Sequence, residues 1–408
     1  MSRFSVIVLS LLVGAAGFAA DAPRFRGPNG DGKFNEQGLL KSWPKEGPPV
    51  AWIAKGLGQG YSSASVAEGR IFVAGMTADD QIGHIHILDM QGRLIGSIPY
   101  GKETVNDAAS GARSTPTIDG NRLYILSGLG VVYCMDLDAR SVRWSVNILE
   151  RFHAENIEWR LSESLLVDGD RVICTPGGKE GGIAALNKMT GDTVWAAKGI
   201  DDNAAYVSPV VAMHNGRRIL LTETARQVVG VDADSGALLW KHEHLTKYDI
   251  HACAPIYDKG LVYYTAGYDS GGGALELSPD GSTVTQKWTD KVLDCQHHGV
   301  VLVDGYLYGG RHRGQFVCLE MATGTLMWKA PEIRQAVTVY ADGMLYLYEG
   351  PQEGVVSLVK PDPAGFQRTG QFKVTEGTEN HWAHPALANG LLLIRHGDAL
   401  IAYNVKEN

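Results

Sequence analysis

Apolar and polar residues alternate in short runs along most of the chain. Residues 114–149 show the unit most clearly, as STPTIDG, NRLYILSG, GVVYCMDLDA and SVRWSVNI. The alternation in YILS and VYCMDL is the period of a strand with one buried face, not that of a helix. Each unit is therefore predicted to hold four short strands. The first ends at an Asp-Gly turn, the second at small residues and the third at an Asp-rich turn. The fourth carries a tryptophan, here Trp144.

The unit recurs. Its first turn can be followed by Gly69, Gly120, Gly169, Gly216, Gly260, Gly305, Gly343 and Gly390, spaced 38 to 51 residues apart. The turn before the fourth strand recurs as LNKMTGDTVW, VDADSGALLW and LEMATGTLMW, with a glycine four residues before Trp195, Trp240 and Trp328. Repeats of this length are the signature of a propeller or solenoid. The chain ends decide between them. The last unit stops after three strands, and PPVAWIAKG stands before the first full unit. Trp52 lies 17 residues before Gly69, as Trp288 lies 17 before Gly305. Residues 48–56 are thus expected to complete the last blade and leave no open edge. The expected fold is all-β: an eight-bladed β-propeller of four-stranded antiparallel blades over 48–408. A seven-bladed ring is the alternative, because the Gly343 unit lacks the tryptophan.

Composition agrees with many tight turns, since 50 of 408 residues are glycine against a usual ~7%. Net charge is −8 with no basic block, so neither a nucleic-acid partner nor a polybasic membrane attachment is expected. MSRFSVIVLSLLVGAAGFAA has the positive start, short apolar run and small residues of a signal peptide. Residues 1–20 are expected to be removed, giving a periplasmic or secreted protein with no integral membrane segment and an N-terminal extension at 21–47. The five cysteines, Cys134, Cys174, Cys253, Cys295 and Cys318, form no CxxC or adjacent pair. Cys134 and Cys318 read as small buried apolar residues.

DADSGALLW, with Asp232, Gly236 and Trp240, resembles the repeat of pyrroloquinoline-quinone (PQQ) propellers, and the resemblance extends over roughly 48–408. Two branches of that family imply different functions. Resemblance to the quinoprotein alcohol dehydrogenases implies PQQ and calcium in a central funnel, under an adjacent cysteine pair that this chain lacks. Resemblance to the propeller lipoprotein of the outer-membrane β-barrel assembly machinery implies a scaffold without cofactor. The expected function is an exported, non-catalytic binding or scaffolding protein. The alternative is a metal- or quinone-dependent oxidoreductase, or a carbohydrate-active enzyme, using a histidine-rich funnel. No cofactor is expected, PQQ or a divalent metal belonging to the alternative.

The repeat also assigns faces. Turns one-to-two and three-to-four are short and uniform, whereas loops two-to-three and four-to-one vary, as at 100–113, 148–164, 266–274 and 310–315. A variable face is where a ligand or partner is expected. Residues just before each first strand should converge at the channel mouth on that face. The candidates are Tyr61, Arg113, Tyr206, His251, His297, His298, Arg311, His312, His381 and Trp382, suited to a protein or to a polyhydroxy or anionic small molecule. His251, His297, His298 and His381 are candidate metal ligands, with Asp249 or Asp294 as carboxylates. PNGDG (28–32) reads as a turn, and GGKEGG (177–182) lacks the features of a phosphate loop.

Overall fold

The computed structural model describes residues 21–105 and 109–407. The leader expected at 1–20 lies outside them. Eight blades of four antiparallel strands follow one another around a ring, seven as four-stranded sheets and one extended to five strands by a short parallel strand. Blade 1 consists of Ser65–Ala67, Arg70–Met76, Ile82–Asp89 and Leu94–Lys102. The inner strands of blades 2 to 8 begin at Thr117, Leu166, Val210, Ile256, Val300, Gln335 and Ala386. Among the described residues the one α-helix is the single turn Ile148–Arg151.

The tracked glycines sit in the hairpins for a conformational reason. In blade 4, His214 pairs with Arg217 across Asn215 (φ 46°) and Gly216 (φ 88°). Two successive left-handed residues make the hairpin turn whose twist matches that of the strands it joins.

The ring closes as expected. Val50–Ala54 is the outer strand of blade 8, antiparallel to Ala399–Asn404, with Trp52 opposite Ala402. The Gly343 unit is a true blade, Gln335–Ala341, Met344–Gly350, Val355–Lys360 and Gln367–Lys373, so the count is eight. Gly370 stands at the strand position of the missing tryptophan, and Trp43 from the N-terminal extension packs over it and against Phe372, at a 5.3 Å ring separation from the latter. The core is the set of seams between blades. Ala212, Ile219 and Leu221 of blade 4, for example, pack with Val262, Tyr264 and Leu275 of blade 5.

The N-terminal extension lies within the propeller. Val66 and Ala22 exchange backbone hydrogen bonds at 2.9 Å, and Ile118 N donates to Pro23 O at 2.8 Å. Arg24 donates to Pro209 O at 3.2 Å. Arg26 reaches Val300 O at 2.9 Å and Thr338 O at 3.2 Å. Lys33–Phe34 then runs parallel beside blade 7, pairing with Tyr340 and Ala341. Groups on or next to the inner strands of blades 1, 2, 4, 6 and 7 thus hydrogen-bond the segment that fills the channel. Such satisfaction is what buried backbone groups require.

Candidate functional site

The extension divides the channel into two cavities. One, of about 390 Å³, has Arg24, Arg26 and Asp31 on its wall. The other, of about 480 Å³, opens among the variable loops. Phe25 and His384 contribute to both and form the partition. His384 is held between the plug and the ring, with Nδ1 3.1 Å from Arg26 Nη1 and Nε2 2.9 Å from His297 O.

Six of the ten residues singled out from sequence line the mouth cavity: Tyr61, Arg113, Tyr206, His297, His312 and Trp382. Tyr61 and Trp382 stand 5.1 Å apart, and Trp382 meets His297 edge-on at 5.9 Å. Tyr268 packs on His312 at 4.4 Å, and Gln296 links them by donating to Tyr268 Oη at 2.7 Å and contacting His312 Nδ1 at 2.8 Å. Tyr206 Oη accepts from Trp159 N at 3.3 Å.

The other four are placed elsewhere. His298 is buried behind His297, and its carbonyl accepts from Thr338 N at 3.0 Å. Arg311 braces its own loop by donating to Gln315 Oε1 at 2.8 Å. His381 stacks on His396 at 3.7 Å and hydrogen-bonds Tyr348 Oη at 2.5 Å. His251 is fully buried, 3.2 Å from His244.

The four candidate metal histidines therefore divide among separate neighbourhoods and do not form one ligand set. Neither suggested carboxylate joins them. Asp249 pairs with Arg226 at 3.2 Å. Asp294 accepts the backbone N–H groups of Asp269 and Gly271 at 3.1 and 3.0 Å. Asp294 is satisfied by the amides of a neighbouring loop and Asp249 by a guanidinium, and linear spacing cannot reveal that.

Burial lowers His297 to about 4, with His312 adding to the effect. Its imidazole is neutral near pH 7. Burial pushes Tyr206 up to about 12, so its hydroxyl keeps its proton. Arg113 is the one lining residue, among those described, with a permanent charge. Burial lowers its pKa, opposed chiefly by Glu103. Its Nε and Nη2 have no hydrogen-bond partner among the described residues. A guanidinium in aromatic surroundings with unused donors suits a carboxylate or another planar anion. Among the described residues the lining has no carboxylate, so these residues do not supply the carboxylate oxygens usual in a calcium site, and they do not fit the quinoprotein arrangement of PQQ with calcium.

Sequence reasoning passed over Phe25, Tyr268 and Gln296. Phe25 arrives from an extension with no repeat signal. Tyr268 and Gln296 sit in irregular loops on the face the repeat marks as variable.

The described family profile "Outer membrane protein assembly factor BamB" matches residues 81–330. The BamB of Moranella endobia (strain PCIT) is 24% identical over 57% of this chain and 48% of its own length. That of Yersinia pestis is 23% identical over 70% of this chain and 71% of its own. The chain spans about half the length of the first of these relatives. Among solved structures, BamB from Moraxella catarrhalis superposes with a TM-score of 0.63 at 15% identity, covering 88% of this chain and 99% of that one. The quinohemoprotein alcohol dehydrogenase from Comamonas testosteroni gives 0.66 at 11% identity, covering 95% and 81%. At such identities the superpositions establish a shared fold, and fold alone does not carry function.

Proposed function

This chain belongs to the family of the outer membrane protein assembly factor BamB, and from that premise we propose an exported, non-catalytic propeller that binds a polypeptide partner on its variable face. One observation carries the reading. Leu129, Trp159, Leu245 and Tyr248 expose large apolar surfaces on the variable loops, and Trp159 lines the aromatic mouth. Tyr248 continues the aromatic wall by packing edge-on against Tyr268 at 5.0 Å. Exposed aromatics beside a concave, largely apolar site are the usual anchors of protein recognition. Arg113 adds a point for a carboxylate of the partner.

A photo-cross-linking residue placed at Trp159 or Tyr248 is expected to trap a polypeptide partner in intact cells. The same residue at Met189 or Met213, near the uniform turns, is expected to trap none. Equal yields from the two faces would overturn the assignment of the binding face. Turnover of an alcohol or sugar by purified protein supplied with PQQ and calcium would overturn the non-catalytic reading. Binding of a small anion at Arg113 without any polypeptide would replace the partner class.

A further inference from the structure

Behind the wall of the mouth cavity lies a second polar group. Ile250 and Ala252 line the cavity, while His251 between them turns away and is fully buried. It meets two side chains of blade 4. Glu223 ends the second strand, Arg217–Glu223, and His244 follows the fourth, Leu238–Glu243.

His251 Nε2 and His244 Nδ1 are 3.2 Å apart. Glu223 Oε2 lies 3.5 Å from the first and 3.7 Å from the second. These separations are long for hydrogen bonds to the carboxylate. Neither Glu223 oxygen has a hydrogen-bond partner among the described residues, although the side chain is 0% exposed. A buried carboxylate without a partner needs an explanation, and an unplaced ion is one.

The triangle has the dimensions of a coordination sphere. A tetrahedral ion with bonds of about 2.0–2.1 Å holds its ligand atoms about 3.3 Å apart. Two imidazoles and one carboxylate suit a borderline transition ion, whereas calcium and magnesium take oxygen ligands. All three atoms lie within 4.8 Å of one another.

We propose that Glu223, His244 and His251 bind one zinc ion, with water in the fourth position. The ion clips the loop between blades 4 and 5 to the second strand of blade 4. That loop carries Leu245 and Tyr248, so zinc holds part of the variable face in place. The metal site itself does not depend on the partner reading.

The test uses the untagged mature chain, stripped of metal and titrated with zinc sulfate by calorimetry. One equivalent is expected to bind and to raise the Tm. Glu223→Gln, which preserves volume, and His244→Ala are each expected to bind at least tenfold more weakly while keeping the wild-type circular dichroism spectrum. Cobalt(II) in the same site is expected to give the visible bands of a four-coordinate ion, lost in His244→Ala. The proposal is overturned if the wild-type chain binds substantially less than one equivalent. It is equally overturned if Glu223→Gln and His244→Ala retain wild-type affinity, or if calcium binds there and zinc does not. Should His251→Ala fail to fold, the two milder variants decide the matter.

Discussion

The indole of Trp195 in blade 3 closes over the backbone of Gly236 in blade 4, with Cδ2 2.6 Å from where a Cβ at Gly236 would stand. The relation recurs around the ring at 2.8 Å for Trp144 over Gly191 and 2.7 Å for Trp288 over Gly324. It recurs at 2.4 Å for Trp52 over Gly92, across the seam where the two ends of the chain meet. The closing strand thus makes the same contact as a strand inside the repeat. The glycine is needed twice, for its left-handed φ of 77° and for the space the indole occupies.

Gly236→Ala should therefore cost more than Gly216→Ala. At Gly216 a Cβ meets nothing within 4 Å, so only the left-handed backbone is penalised, by about 1–2 kcal/mol. At Gly236 overpacking against Trp195 adds about 1–3 kcal/mol. Urea unfolding of the two variants measures the difference, and equal losses would remove the indole contact as a cause.

Arg26 ties the channel plug to the ring through two carbonyls and His384. Arg26→Ala leaves Val300 O and Thr338 O without that donor, which should cost about 2–4 kcal/mol. Hydrogen exchange should accelerate first in residues 22–34, ahead of the blades. Uniform acceleration over the whole chain would show that the plug does not open as a unit.

Glu103 supplies a pH dependence. Its carboxylate accepts from Tyr100 Oη at 2.6 Å and Gly128 N at 2.9 Å. Burial nevertheless dominates and raises the group from 4.5 to about 7. The folded state therefore holds the proton more tightly than the unfolded chain. The stability from this group is complete below about pH 4.5 and is lost as pH rises toward 7, by up to about 3 kcal/mol. The stability of the wild type relative to Glu103→Gln should fall across that window and level off above it. A flat difference would refute the shift.

Arg113 should separate stability from binding. Removing a buried guanidinium with unused donors relieves desolvation, so Arg113→Met is expected to leave the free protein unchanged or about 1 kcal/mol more stable. The same change should reduce cross-linking from position 159. A marked loss of stability, by thermal unfolding, would instead give Arg113 a structural role.

The architecture was legible because it is built from local signals. Gly216 and Asn215 mark a hairpin through their own backbone preferences. Trp52 reveals ring closure because its distance to Gly69 repeats that of Trp288 to Gly305. The variable face followed from which loops differ in length, and Tyr61, Arg113, Tyr206, His297, His312 and Trp382 all reach its cavity. The weak points were equally physical. Phe25 belongs to a segment without a repeat, so nothing in its neighbours announces that it floors the cavity.

Histidines show where sequence reasoning stops. His251 and His381 occupy the same place relative to their blades, yet one faces Glu223 and the other stacks on His396. Periodicity along the chain sets blade number, turn type and the face on which a loop emerges, because hairpin geometry and strand alternation act over a few residues. Which side chains share a cavity or a plug depends on ring closure, and the triangle of Glu223, His244 and His251 depends on how the loop after blade 4 folds back on that blade. Closure sets distances across the channel and between blades that no spacing along the chain encodes.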